Sequence, residues 1–315
     1  LNAGQAPDWI ELFNGGSQTI DLGGLSLSDD VLVPGKFVFP PNTLIAAQGY
    51  LTVWCDSETN APGLHAGFAL NDKGQTVALF STTANGIALT DHVAFGNQIA
   101  DLTIGRVPNG SGVWQLTVPT PERPNQATAL GSPAKLRINE WMATPESGDD
   151  WFELFNPEPL PVPLGGLYLT DALSNPTNTR IAALSFIAAN GFADLAADES
   201  PEKGRDHVDF KLSANGEAIY LVATNGISVI DSVEFGPQAP GVSQGRLPDA
   251  APAIASFSAT PSRGESNHLP LANVVINEVL THSDPPFEDA IELHNPTAGP
   301  ANIGGWFLSD DLSRL

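Results

Sequence analysis

The chain has 315 residues and a net charge of −23, from 36 acidic against 13 basic side chains. With so few bases and no basic stripe, phosphate neutralisation has nothing to work with, and direct nucleic-acid binding is disfavoured. The single cysteine, Cys55, excludes an intrachain disulfide and a cysteine-ligated zinc site, and no apolar run approaches the ~18 residues that a membrane span requires.

Taken in chain order, the first predicted element is DWIELFN (8–14), and the phrase returns as DWFELFN (150–156) and DAIELHN (289–295). Glu11, Glu153 and Glu292 are spaced by 142 and 139 residues, so the repeat is a domain and not a short solenoid unit. Ile10/Leu12, Phe152/Leu154 and Ile291/Leu293 are apolar in every copy, which predicts a strand with this parity in the core and the glutamate on the other face. Nine residues after each phrase asparagine stands a Gly-Gly pair, at 23–24, 165–166 and 304–305, each followed by a strand-like run: LSLSDD, LYLTDA, WFLSDD.

Further along, FALNDKG (68–74) answers FKLSANG (210–216), DHVAFG answers DSVEFG, IGRVP answers QGRLP, and Thr120-Pro121 answers Thr260-Pro261. Asn85-Gly86 and Asn225-Gly226 each stand between two strand-like runs and predict tight hairpins with two positive-φ residues. QATALGSPAKL and SNHLPLAN have the composition of connections. INE precedes the phrase at 138–140 and 276–278 but not in the first copy. With 30 glycines and 27 prolines, breakers come too often for long helices, and short strands separated by turns predict an all-β, two-sheet sandwich. The expected organisation is a domain at 1–127 lacking its first strand, a linker at 128–135, a complete domain at 136–267, a linker at 268–273 and the start of a third domain at 274–315. On this expectation the chain is an internal piece of a longer protein.

The ordered series INE, D-W-I/F-E-L-F-N, L-G-G-L/W, L-S/T-D, F-x-L…G, N-G…D, G-R-x-P and T-P, kept in register over two copies, resembles the lamin-tail domain family. The resemblance implies tandem immunoglobulin-like β-sandwiches. It also implies a non-catalytic role as spacer, tether or interaction module in a large bacterial extracellular or cell-surface protein. The partner would be an unknown protein or cell-surface component, and the oligomeric state is open. The alternatives are accessory domains of a secreted hydrolase or kinase-like enzyme whose catalytic domain lies elsewhere, or a calcium-stabilised adhesin.

The residues themselves offer few sites. Glu140/Glu153 and Glu278/Glu292 could be paired carboxylates for glycoside chemistry, but such a pair needs a cleft and neighbours that keep one acid protonated. The preferred reading is that these carboxylates bond backbone N–H groups and neighbouring strand side chains. GVSQG (241–245) matches a nucleophile elbow, yet the equivalent stretch of the first copy is DLTIG and no helix is expected after it. Asp29, Asp30, Asp171, Asp310 and Asp311 are calcium candidates because calcium prefers clustered oxygens; the simpler expectation is that the first aspartate of each pair caps a turn. The acidic stretch at 198–209 reads as a solvated surface turn. No catalytic residue and no cofactor is expected, calcium standing as the alternative.

Overall fold

A computed structural model of the chain describes residues 7–84, 86–269, 274–286, 288–304 and 306–310. Residues 1–267 form one compact unit and 268–315 a second. Among the described residues of the first unit the elements are strands apart from one 3₁₀ turn at Pro133–Lys135, as the frequency of glycine and proline leads one to expect.

The second copy is a two-layer sandwich. One layer has six strands, in the order His207–Val208, Phe192–Ala197, Asp150–Phe155, Arg137–Met142, Ser243–Arg246 and Ile254–Phe257. The other has four, in the order Thr179–Arg180, Tyr168–Thr170, Glu217–Val222 and Val229–Phe235. One continuous apolar cluster joins the layers: Ile138, Phe152 and Leu154 from the first meet Leu169, Ile219, Leu221 and Val233 from the second, all buried. Phe152 and Leu154 are fully buried, as their parity predicts. Each such side chain contributes about 1.5–3 kcal/mol when removed from water.

The INE strand Arg137–Met142 lies between the phrase strand Asp150–Phe155 and the G-R strand Ser243–Arg246. Its register slips between Ile138 and Glu140, leaving Asn139 as the unpaired residue of a bulge. A bulge re-aims its side chain, and here it sets up the polar cluster described below.

The first copy follows the same plan with one difference. Its four-stranded layer (Phe37–Val38, Ser26–Ser28, Gln75–Thr83, Gly86–Phe95) is complete, but the opposite layer is split. The phrase strand Asp8–Phe13 pairs only with Tyr50–Cys55, while the G-R strand Thr103–Val107 belongs to a separate three-stranded sheet with Val113–Val118 and Gln126–Ala127. Ile10 and Leu12 are consequently only half-buried, against full burial of their counterparts Phe152 and Leu154. In the second unit, Val275–Leu280 pairs antiparallel with Ala290–His294, with the same bulge at Asn277, and all residues of both strands are exposed.

The two copies of the first unit touch directly. Gly96 donates its N–H to the Ala183 carbonyl (3.1 Å), Phe186 donates to the Asn97 carbonyl (2.8 Å), and Gln98 Nε2 donates to the Leu184 carbonyl (2.7 Å). Lys73 pairs with Asp194, which also holds Arg263 (2.9 Å). The connection between the copies is itself tied down: Thr128 N–H bonds the Leu116 carbonyl and Gly131 N–H the Pro161 carbonyl.

The hairpin expectation of the second copy needs correcting. In the second copy Gly226 has a φ of +68° but Asn225 has no positive φ. The loop is longer, closed by Ala223 N–H to the Ser228 carbonyl, and Asn225 Oδ1 accepts from Ile227 and Ser228 N–H groups. Asparagine serves there through its side chain and not through a left-handed backbone. In the first copy Thr83 pairs with Gly86, so glycine ends the turn; Asn85 lies outside the described residues.

Candidate functional site

The repeated phrase is the natural place to look for a site, and its three polar letters can be followed one at a time. The aspartate ties the phrase strand to a distant loop: Asp8 Oδ2 accepts the Leu70 N–H and Asp150 Oδ2 the Leu212 N–H, both at 3.2 Å. The asparagine brackets the turn after the strand. Asn156 Nδ2 donates to the Leu160 (2.9 Å) and Ala188 (2.7 Å) carbonyls while its Oδ1 accepts from Glu158 N–H. Asn14 makes the matching bonds to Gln18, Ala46 and Gly16. Asn295 repeats the pattern with Gly299 and Thr297. A buried amide with two donors and an acceptor suits this place because three backbone groups would otherwise be left unpaired.

The glutamates take the face that the parity assigns them. Glu153 does point away from Phe152 and Leu154, but that face is closed as well: Glu153 and its strand partner Glu140 are both fully buried. The cover is the segment after Thr260-Pro261. Ser262 donates its N–H (3.1 Å) and hydroxyl (3.0 Å) to Glu140 Oε2, Ser243 Oγ donates to Glu140 Oε1, and Gly264 N–H reaches Glu153 Oε2 (2.8 Å). From the bulge, Asn139 Nδ2 donates to Glu153 Oε1 (3.0 Å) and to Asp249 Oδ1 (2.9 Å). Alternation along a strand shows which face a side chain takes, not whether a later segment crosses over it.

Burial pushes the Glu153 carboxyl up to about 8, against the pull of the Asn139 and Gly264 hydrogen bonds. Burial raises Glu140 too, opposed by the bonds from Ser243 and Ser262. Perturbed acids often mark active sites, but a catalytic acid must reach a substrate proton within hydrogen-bond distance. These two are shut away from solvent and their oxygens are occupied by donors of the fold.

The remaining candidates resolve similarly. Ser243 is a fully buried strand residue bonded to Glu140 and sits on no elbow. Asp29 pairs with Lys36 (2.6 Å), and Asp30 Oδ1 accepts the Leu32 N–H (2.8 Å). The turn cap expected of the first aspartate belongs to the residue before it. Ser28 Oγ accepts the Asp30 N–H and Thr170 Oγ1 the Ala172 N–H, because these fully buried hydroxyls at the strand ends already face the turn. Asp171 follows Thr170 at that turn, Asp310 is exposed, and Asp311 lies outside the described residues. Among the described residues no group of three or more His, Cys, Asp or Glu side chains comes together as a metal site.

The stretch 198–209 is not merely solvated. It wraps the buried Asp198, which holds Lys203 (2.6 Å) and His207 (3.1 Å), and Arg205 reaches Thr76 of the first copy (3.2 Å). Cys55 is buried and its thiol is pushed up to about 12, burial being the main cause.

Sequence reasoning missed the groups that hold the INE strand in place. Arg246 Nε donates to the Ile138 carbonyl (2.8 Å) and its Nη2 to Asp231 (3.1 Å), while Asp231 Oδ2 accepts the Ile138 N–H (2.8 Å). Asn267 Nδ2 bonds the Asn139 and Arg246 carbonyls. A Cβ at Gly245 would come within 2.6 Å of that amide, and one at Gly105 within 2.6 Å of the amide of Asn125, which is why a glycine precedes the arginine in both copies. The signal was present, since Arg106/Arg246, Asp91/Asp231 and Asn125/Asn267 are all kept in register.

No curated protein and no solved structure matches the chain. The family model for the Lamin Tail Domain matches residues 2–103 and again residues 131–237. With two matched regions in series, each built around one copy of the repeated phrase, the chain belongs to the lamin tail domain family.

Proposed function

We propose that this region is a non-catalytic spacer, tether or interaction module of a large bacterial protein at the cell surface or outside the cell. One observation carries the reading: each polar letter of the repeated phrase is spent on hydrogen bonds that hold the sandwich together, so none is left to act on a substrate. The direct contact between the first two copies supports a semi-rigid spacer in preference to domains on a loose string. The acid excess keeps such a module soluble and turns it away from polyanions, which points to a protein or surface-component partner. Calcium has no part in this reading, since Asp29 and Asp30 already have partners within the fold.

The test is to assay the whole chain on ester, phosphodiester and glycoside substrates. No turnover is expected. Hydrolysis that disappears in Glu153→Gln, with folding preserved, would overturn the proposal.

A further inference from the structure

The acid pair of the second copy lies under a single segment that belongs to no strand. Residues 260–267 follow the strand Ile254–Phe257, contain no strand or helix, and end the first unit. Three of their backbone N–H groups land on three carboxyls in turn: Ser262 on Glu140 (3.1 Å), Gly264 on Glu153 (2.8 Å) and Asn267 on Asp249 (3.0 Å). Beneath them Glu140 and Glu153 stand opposite each other as strand partners, both fully buried.

The donors around this pair carry no charge. Among the described residues, the hydrogen bonds reaching the two glutamates come from Asn139, Ser243, Ser262 and Gly264, all of them neutral. The cations nearby are engaged elsewhere. Arg246, on the strand beside Glu140, holds Asp231 and the Ile138 and Ala251 carbonyls, while Arg263 and Lys73 hold Asp194, the cross-strand neighbour of Glu153. Asp249 adds a third acid, linked to Glu153 through Asn139, and Glu265 and His268 on the covering side are exposed. Two adjacent carboxylates without a cation of their own do not both ionise in a dry site, so water must enter to carry the charge. The least costly entrance is through the cover, which lifts without parting any strand from its neighbour.

We propose that residues 260–267 are a pH-operated latch, seated while the glutamate pair holds its protons and lifted when the pair ionises. Lifting hydrates Glu153 and returns its carboxyl towards the ordinary value of 4.5. Opening therefore becomes easier as pH climbs from there to about 8, the value to which burial raises the covered carboxyl, and levels off beyond it. Arg263 travels with the latch, so opening leaves Asp194 to Lys73 alone and ties the latch to the contact between the first two copies. The inference goes beyond the spacer reading and does not depend on it.

The experiment is amide exchange of the full, folded chain from about pH 5 to about pH 9 at several low urea concentrations, with rates corrected for base-catalysed exchange. The Ser262 and Gly264 amides are expected to exchange well ahead of those of Phe152 and Leu154, through an opening that urea does not promote. Their protection should fall by up to about tenfold per pH unit until about 8. Glu153→Gln should flatten that slope while the strand amides stay protected. Latch amides that exchange only together with the strands and with the same urea dependence overturn the proposal, as does protection that stays level across the range or a folded Glu153→Gln chain that keeps the slope. The first two outcomes are read on the unsubstituted chain, so a variant that fails to fold leaves the test intact.

Discussion

The first and second copies spell nearly the same phrase and bury it differently. In the second, Phe152, Glu153 and Leu154 are all fully buried, with strands on both sides and the Ser262–Gly264 segment on top. In the first, Ile10, Glu11 and Leu12 stay half-buried, because no strand among the described residues lies on the free edge of Asp8–Phe13. The difference teaches that a strand's own letters set its direction and its facing side, while the depth of burial is set by its neighbours. A large effect in the second copy should therefore shrink in the first wherever the neighbour matters, and stay equal where it does not.

The largest contrast is in the core. Phe152→Ala should cost about 3–5 kcal/mol, while Ile10→Ala, at a half-exposed position, should cost roughly half as much or less. Denaturant unfolding followed by tryptophan fluorescence and amide exchange reads both; equal losses would mean that the first copy is packed as tightly as the second.

The next contrast is in pH dependence. A carboxyl whose folded pKa lies above its unfolded value binds its proton more tightly in the fold. The resulting stabilisation is fully present below about 4.5 and is lost as pH climbs through about 8, the value to which burial lifts Glu153. The second copy should weaken with rising pH across that window, by about 1.4 kcal/mol per unit at the steepest. Glu153→Gln should flatten the slope. Glu11, raised in the same direction by burial but only half-buried, should give a shallower one. Unfolding midpoints at several pH values would show it, and a second copy that gains stability between pH 5 and 8 would reverse the assignment.

Much of this fold was legible in the sequence, and the reasons are specific. Strand identity, facing side and repeat register followed from Ile10/Leu12 and their counterparts, since alternation is a local property. The fate of Glu153 was not legible, because its cover comes from Ser262 and Gly264, more than a hundred residues away. The Asn225-Gly226 turn failed for a different reason: an asparagine can shape a turn by backbone or by side chain, and the dipeptide alone does not say which. The Arg246–Asp231 grip was missed because letters that recur in register acquire this meaning only when a strand is threaded between them.

Where the neighbouring strand does not matter, the copies should agree. Asn156→Ala strips partners from the Leu160 and Ala188 carbonyls and the Glu158 N–H, and Asn14→Ala does the same at Gln18, Ala46 and Gly16. Each loss should cost about 1–3 kcal/mol, of similar size in the two copies. A much smaller loss at Asn14 would show that the shallower burial of the first copy's phrase strand extends to the turn after it.

The smallest effect tests whether the two copies unfold together. Lys73 meets Asp194 across their contact, and although burial raises the Asp194 carboxyl, Lys73 and Arg263 outweigh it and hold the group below the usual carboxylate range. Both side chains keep a part of their surface in water, at 33% and 22% exposure, so the pair should contribute about 0.5–1 kcal/mol. A depressed carboxylate stabilises above its unfolded pKa and loses that contribution as pH falls through the folded one, the opposite sense to Glu153. Lys73→Ala should therefore leave each copy's internal exchange protection intact near neutral pH and speed amide exchange at Gly96 and Phe186, which bond across the contact. If those amides stay as protected as the strand interiors, the backbone bonds alone hold the copies together and the ion pair is incidental to the spacing between them.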